Sequence, residues 1–338
     1  MALNVILPPN MFEVIDRAGI STAKQIITLS VWDIKKSTNL SNEDILLLKN
    51  IVSEHLSPST VTGKALKKSH SEILKISTGC KNIDNLLKGG FRPGTITEVF
   101  GESGSGKTQL ALQSTLYNWE GGCVYICTED LFPTKRFEEI KTNLPFYDSK
   151  IDYGKHIFVE HITEAKDLLA CIRVRLPRLL EQHKLSLIII DSITAPFRCE
   201  STNYVKRAED LREIAILLTS LAQEYNLSIL CINQVTASFE DSDNVLPSLG
   251  LAWSNMVTTR LMMKKSSKIA DANNLPDLMH HLLTSNQTIY IRELLTVFSP
   301  DLPNNSTEFV ITSIVAVRYA SPSPTSPSRR KMVCFCYY

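Results

Sequence analysis

Net charge is almost absent from this chain. Its 338 residues carry 36 Lys and Arg against 35 Asp and Glu, a formal charge of +1. No global basic field therefore draws it to nucleic acid, and any such contact has to be local. Apolar runs long enough to span a bilayer are missing, so no membrane partner is expected. The eight cysteines form no C-x-x-C pair and no His/Cys cluster with zinc spacing. Scattered thiols of this kind point to a reducing compartment, nucleus or cytosol. The opening stretch to Pro9 lacks a basic n-region and breaks at Pro8, which reads against a secretory signal. Phe335, not Cys, stands fourth from the end, which reads against prenylation.

One stretch stands out from this ordinary background: Gly101-Glu102-Ser103-Gly104-Ser105-Gly106-Lys107-Thr108. It fits G-x-x-x-x-G-K-[ST], the loop that cradles nucleotide phosphates. Glycines let the backbone wrap an anion closely, and successive N–H groups then point inward. Lys107 is placed for the β- and γ-phosphates, and Thr108 offers a hydroxyl to Mg²⁺. Residues 95–100 alternate as a strand does, and residues 109–114 read as the start of a helix. Strand, loop and helix are the context the motif requires.

Other runs follow. Leu185-Ser186-Leu187-Ile188-Ile189-Ile190-Asp191 reads as a buried strand ending in an acid. After a phosphate loop, Asp191 is expected to hold Mg²⁺ beside Thr108; the alternative is a helix N-cap. Val124-Tyr125-Ile126-Cys127-Thr128-Glu129 is a second strand ending in an acid. If it lies beside the phosphate-loop strand, Glu129 stands where hydrolysis needs a carboxylate to orient water; a helix-start role is the competing reading. Leu230-Cys231-Ile232-Asn233-Gln234 is a third buried strand with a polar end. Gln234 could donate to a γ-phosphate, although spacing alone does not favour that role.

Residues 1–56 read as a small helical domain. Phe12, Ile15 and Ala18 share a helix face that Gly19 ends; Ser21 or Thr22 can cap a second helix with Ile26 and Ile27; Ser41-Asn42-Glu43-Asp44 resembles a capping box before Ile45, Leu48, Ile51 and Val52. The unit is slightly acidic, which favours protein docking over DNA binding. Residues 57–75 read as a linker kept solvated by Lys64, Lys67, Lys68 and Lys75. Residues 76–318 form the core, where strands alternate with helices: 96–100 then 107–119, 123–128 then 134–143, 185–190 then 208–224, and 228–233. That order predicts an α/β fold with a mainly parallel sheet covered on both faces. Residues 319–338 form a Ser/Pro-rich tail read as disordered, in which Arg329-Arg330-Lys331 is a solvated basic triplet or a nuclear import signal.

Together these residues resemble the RecA-like recombinases of eukaryotic homologous recombination, over residues 10–312. The resemblance rests on Ser77-Thr78-Gly79-Cys80, Leu86-Leu87-Lys88-Gly89-Gly90, Gly94-Thr95-Ile96-Thr97-Glu98, Gly106-Lys107-Thr108-Gln109, Tyr125-Ile126-Cys127-Thr128-Glu129, Ile232-Asn233-Gln234-Val235, Ser299-Pro300-Asp301-Leu302-Pro303 and Phe309-Val310-Ile311. Ala195-Pro196-Phe197-Arg198-Cys199-Glu200 is similar to the regulatory paralogues of the family, not to the main strand-exchange enzyme.

The resemblance implies a RecA-like P-loop ATPase core that binds ATP and Mg²⁺. It implies a heterodimer with another recombinase paralogue, contact with the main strand-exchange recombinase, single-stranded and branched DNA as ligands, and a nuclear repair role at breaks, crosslinks and forks. A weak DNA-stimulated ATPase is expected; a self-assembling strand-exchange enzyme and a non-hydrolysing scaffold are the alternatives. The resemblance extends the nucleotide site from residues 101–108 to Gln109, Arg136 and Gln234. It assigns Glu129, with Lys107, to catalysis, Arg136 to stacking on adenine and Gln234 to γ-phosphate sensing. Residues 300–303 correspond to a cap over a neighbour's nucleotide. Two DNA loops are implied. The first spans about 198–212 with Arg198, Lys206, Arg207 and Arg212, diluted by Glu200, Glu209 and Asp210. The second spans about 235–250, with Glu240, Asp241 and Asp243 and no Lys or Arg, a poor grip on phosphates. The family's Phe-x-x-Ala tether is absent; the linker offers only Thr62-Gly63-Lys64-Ala65. Ile314-Val315 stands where the family reaches a Glu-Gly pair.

Overall fold

The computed structural model describes residues 3–57, 60–65, 74–198, 204–237, 245–247, 249–270, 289–312 and 316–318. The chain divides into two units, Met1–Glu72 and Ile73–Tyr338. The tail at 319–338, with its basic triplet, lies outside the described residues, as do Lys67, Lys68, Glu240, Asp241 and Asp243.

In the small unit, α1 (Leu3–Ile6), α2 (Pro9–Arg17), α3 (Ala23–Thr28), α4 (Val31–Thr38) and α5 (Asn42–Leu56) pack around Ile15, Ile26, Ile34, Ile45, Leu48 and Val52. Thr22 caps α3 in a full capping box with Gln25. Ser41 caps α5 by accepting from the Asp44 N–H, and its hydroxyl donates to the Asp44 carboxylate. Two helices were not expected. One is the single turn of α1. The other is α4, which starts at a second capping box, Ser30 with Asp33, and ends at Asn39 in the left-handed region. Its one buried apolar residue, Ile34, gives too weak a periodic signal to be read along the sequence.

The large unit begins with α6 (Lys81–Leu86) and is built on a nine-stranded sheet. Its strands are β1 (Ile96–Phe100), β2 (Cys123–Cys127), β3 (Ile157–His161), β4 (Leu187–Asp191), β5 (Ser228–Asn233), β8 (Thr259–Ile269), β9 (Tyr290–Phe298), β10 (Ser306–Ile311) and β11 (Ala316–Arg318). The order is β11-β10-β9-β8-β1-β5-β4-β2-β3. Pairing is parallel from β3 through to β8 and antiparallel from β8 to β11. A separate hairpin joins β6 (Val235–Ala237) to β7 (Val245–Pro247). Helices α7 (Lys107–Tyr117), α8 (Thr134–Thr142), α9 (Ala165–Ala170), α10 (Leu176–Gln182), α11 (Tyr204–Glu224) and α12 (Gly250–Ser254) cross over it, with a π-helical turn at Cys171–Arg175 between α9 and α10.

The central strands bury both faces, as a parallel sheet must. Successive residues alternate between two cores. Val99, Tyr125, Leu187, Ile189, Leu230 and Ile232 pack with α7 and α8, while Ile96, Val124, Ile126, Ile188, Ile190 and Cys231 pack with α9 to α11. This alternation puts Asp191, two residues after Ile189, on the face that carries α7.

Three expectations change. The strand bearing Glu129 is not beside the phosphate-loop strand; β5 and β4 lie between them. Lys75 is not a solvated linker residue, since its Nζ donates to the Leu87 carbonyl at 2.8 Å. The first implied DNA loop is helical from Tyr204 on, so Lys206, Arg207 and Arg212 lie on α11; residues 199–203 are outside the described residues.

Candidate nucleotide site

The loop after β1 turns at two glycines, the first required by space and the second by its backbone conformation. A Cβ on Gly101 would stand 2.1 Å from the Met263 carbonyl oxygen, because β8 runs directly alongside β1. At Gly106 φ is +111°, and a Cβ there would meet Ile311 Cδ1 at 2.1 Å. The backbone is therefore closely wrapped and backed by β8 and β10. Gly106 caps α7 without a side-chain bond, so the N–H groups at this helix end remain available to an anion.

Lys107 Nζ is held by the carbonyls of Gly101 (2.7 Å) and Glu102 (2.8 Å). Burial lowers its pKa, while Asp191, Glu129 and Glu102 act the other way. Thr108 Oγ1 donates to Asp191 Oδ2 at 2.8 Å, and Tyr125 OH donates to the same oxygen at 2.8 Å. Burial raises the Asp191 carboxyl above the usual range; the Thr108 and Tyr125 hydrogen bonds and Lys107 offset part of that. Tyr125 is fully buried and its phenol is pushed well up, so it stays a donor. A hydroxyl and a carboxylate side by side are hard oxygen donors of the kind Mg²⁺ takes. The residues thus fit a Mg²⁺-nucleotide: a glycine-lined backbone cradle, a lysine at its rim and a Thr/Asp pair.

Glu129 lies two residues beyond β2, where Thr128 is pinned to the end of β4 through its N–H to the Asp191 carbonyl (2.9 Å) and its hydroxyl to the Ser192 carbonyl (2.6 Å). Its carboxylate accepts from Arg198 NH1 at 2.6 Å and from Gln234 Nε2 at 2.5 Å. The Gln234 N–H in turn donates to Thr194 Oγ1 at 3.3 Å.

Gly101, Ser103, Gly104, Gly106, Lys107, Thr108, Gln109, Glu129, Asp191, Arg198 and Gln234 all line one cavity of about 670 Å³. Glu102 and Ser105 belong to the same loop but not to the wall. Arg136, on α8, stands behind it: Nε donates to Gln109 Oε1 (2.6 Å) and NH2 to the Thr312 carbonyl (3.0 Å). Arg198, which the resemblance assigns to the first DNA loop, lines this cavity as well. Lys206, Arg207 and Arg212 do not line it. The segment at 300–303 is tied to its own core, where the Asp301 carbonyl accepts from Lys88 Nζ at 2.8 Å.

Some wall residues were not read from the sequence. Arg292 of β9 and Ile311 of β10 arrive from the antiparallel half of the sheet. Burial lowers the Arg292 pKa, and no local pattern marks it; Ile311 lies in the Phe309-Val310-Ile311 block of the resemblance, which gives it no site role. A buried cluster behind the site was also missed. Glu98, fully enclosed on β1, accepts from Asn233 Nδ2 (2.6 Å), Trp253 Nε1 (3.1 Å) and Arg260 Nε (2.6 Å). The Thr194 hydroxyl meets Asn233 Oδ1, so this cluster reaches the turn that holds Gln234.

A phosphate loop on β1, an acid at the end of β4 and polar groups after β2 and β5 define a RecA-like P-loop fold. Residues 69–290 match the Rad51 family model. The chain belongs to the Rad51 family. It is 32% identical over 334 residues to the cow protein described as DNA repair protein XRCC3, covering 90% of this chain and 94% of that one. The mouse protein of the same description is 31% identical, with 89% and 93% covered. Fission yeast DNA repair protein rhp57 is 26% identical over 74% of this chain and 84% of its own length. Among solved structures, the RadB recombinase superposes with a TM-score of 0.57 over 72% of this chain and all of its own, at 24% identity, which speaks to fold alone. The XRCC3-like paralogue resemblance thus extends along nearly the whole chain.

Proposed function

We propose that this chain is an ATP-binding mediator of DNA repair by homologous recombination, working in the nucleus with another recombinase paralogue and with the main strand-exchange recombinase on single-stranded and branched DNA. Double-strand breaks, crosslinks and stalled forks are the lesions it serves. The observation that carries this reading is the convergence of Lys107, Thr108, Asp191, Glu129 and Gln234 on one cavity, in a chain similar over nine-tenths of its length to mammalian DNA repair proteins.

Each residue has a role its surroundings support. The loop at 101–106 supplies backbone donors, and Lys107 supplies a point charge. Thr108 and Asp191 would hold Mg²⁺, with Tyr125 fixing the carboxylate. Bound Mg²⁺-ATP supplies a γ-phosphate open to attack by water. Glu129 orients that water, and Gln234 registers the phosphate at the start of the β6–β7 segment. While no phosphate is bound, Arg198 holds the Glu129 carboxylate in an ion pair at 2.6 Å.

Two measurements test this. Lys107→Ala is expected to reduce ATP affinity at least tenfold while far-UV circular dichroism stays unchanged; unaltered affinity would remove the site assignment. The full chain imaged by electron microscopy on single-stranded DNA with ATP and Mg²⁺ is expected to leave the DNA without continuous filaments, since the Phe-x-x-Ala tether is absent. Continuous filaments would make it a strand-exchange enzyme instead.

A further inference from the structure

We propose that Arg198 is a γ-phosphate ligand supplied by the chain to its own nucleotide, and not a DNA contact. Its ion pair with Glu129 is the form it takes when no phosphate is present. The inference rests on the nucleotide site proposed above.

The backbone at Arg198 is fixed from below. It closes the single 3-10 turn Ala195–Phe197, whose Pro196 and Phe197 side chains are buried, and its N–H donates to the Ala195 carbonyl at 3.1 Å. From that anchor the side chain, 46% exposed, reaches the cavity wall, with NH1 2.6 Å from Glu129 Oε1. The other carboxylate oxygen of Glu129 takes the Gln234 amide. Both oxygens of the water-orienting carboxylate are thus occupied by donors from two other elements.

Those donors lie on the wall that carries Lys107 and the Thr108–Asp191 pair, where a terminal phosphate would stand. A guanidinium and an amide are the donors such a phosphate requires, and a phosphate outbids one carboxylate for a guanidinium through its charge and its three oxygens. Arg198 cannot serve both anions fully. Binding of a γ-phosphate therefore transfers Arg198 and Gln234 from Glu129 to the phosphate and frees Glu129 for water. ADP has no such group, so Arg198 separates triphosphate from diphosphate.

The test measures Mg²⁺-AMP-PNP and Mg²⁺-ADP affinities of the full chain by fluorescence titration. In Arg198→Ala, affinity for AMP-PNP is expected to fall about tenfold, one charge-assisted hydrogen bond's worth, while ADP affinity stays within about twofold. Glu129→Gln removes the competing anion without removing Arg198. It is expected to raise the AMP-PNP to ADP preference several-fold. Binding of single-stranded DNA by nucleotide-free Arg198→Ala is expected to keep the wild-type salt slope. An unchanged AMP-PNP to ADP ratio in Arg198→Ala overturns the proposal. So does a salt slope reduced by about 0.7, the loss of one phosphate contact to a single strand. Wild-type chain that binds neither nucleotide removes the site itself, and the proposal with it; wild-type binding with an indifferent Arg198→Ala removes the Arg198 role alone.

Discussion

Glu98→Ala is expected to destabilise the large unit severely, and the structure gives the scale. Glu98 is fully buried and takes three donors: Arg260 Nε at 2.6 Å, Asn233 Nδ2 at 2.6 Å and Trp253 Nε1 at 3.1 Å. The Arg260 side chain is only 15% exposed. Removing one member of a buried pair leaves an uncompensated charge, at a cost of about 3–5 kcal/mol. Two further donors lose their acceptor, each worth about 1–3 kcal/mol alone, but the vacated volume admits water to all three, so the terms overlap. A total of about 4–6 kcal/mol follows, comparable to the whole stability of a marginal domain. Urea unfolding followed by tryptophan fluorescence reads it directly, because Trp253 is part of the cluster. Glu98→Gln combined with Arg260→Met removes the charge pair without stranding a charge, and is expected to cost at least about 2 kcal/mol less than Glu98→Ala. A Glu98→Ala loss below about 1 kcal/mol would refute the reasoning.

Other outcomes follow from single contacts. Tyr125→Phe removes one of two donors to Asp191 and is expected to raise the half-saturating Mg²⁺ for nucleotide binding about tenfold; binding in EDTA stays unchanged, and an unmoved Mg²⁺ requirement would count against the Asp191 metal role. Gly101→Ala drives a methyl into the Met263 carbonyl and is expected to cost at least about 1–3 kcal/mol, with nucleotide binding impaired; calorimetry of a variant as stable as wild type would contradict the packing. Burial pushes the thiols of Cys80 to about 11 and of Cys123, Cys127 and Cys171 to about 12 from an ordinary 9.0. They remain unreactive to a disulfide reagent at pH 8 until denaturant is added. Because the folded values are raised, their contribution to stability is intact below pH 9 and is lost as pH climbs toward 12; rapid labelling of all of them in the native chain would show the core to be open.

Sequence alone determined the parts whose chemistry is local. The loop at 101–108 is legible because glycine, lysine and threonine are irreplaceable at fixed spacing, and strands such as β4 and β5 are legible because burial on both faces leaves an uninterrupted apolar run. Thr22 and Ser41 announced their helices, since a capping residue acts within three positions. The tertiary structure decided what depends on strand order and register. Two strands, β5 and β4, separate β2 from β1, yet Glu129 still reaches the cavity, because all the parallel strands end on the same side of the sheet. Arg198 looked like one more cation in a basic loop; only the fold places Glu129 2.6 Å away. Glu98 sits in a strand that reads as ordinary alternation, and its partners Asn233, Trp253 and Arg260 are 135 to 162 residues distant. A buried charge cannot be told from a solvated one until the groups that compensate it are brought together, and it is the packing of the sheet that brings them.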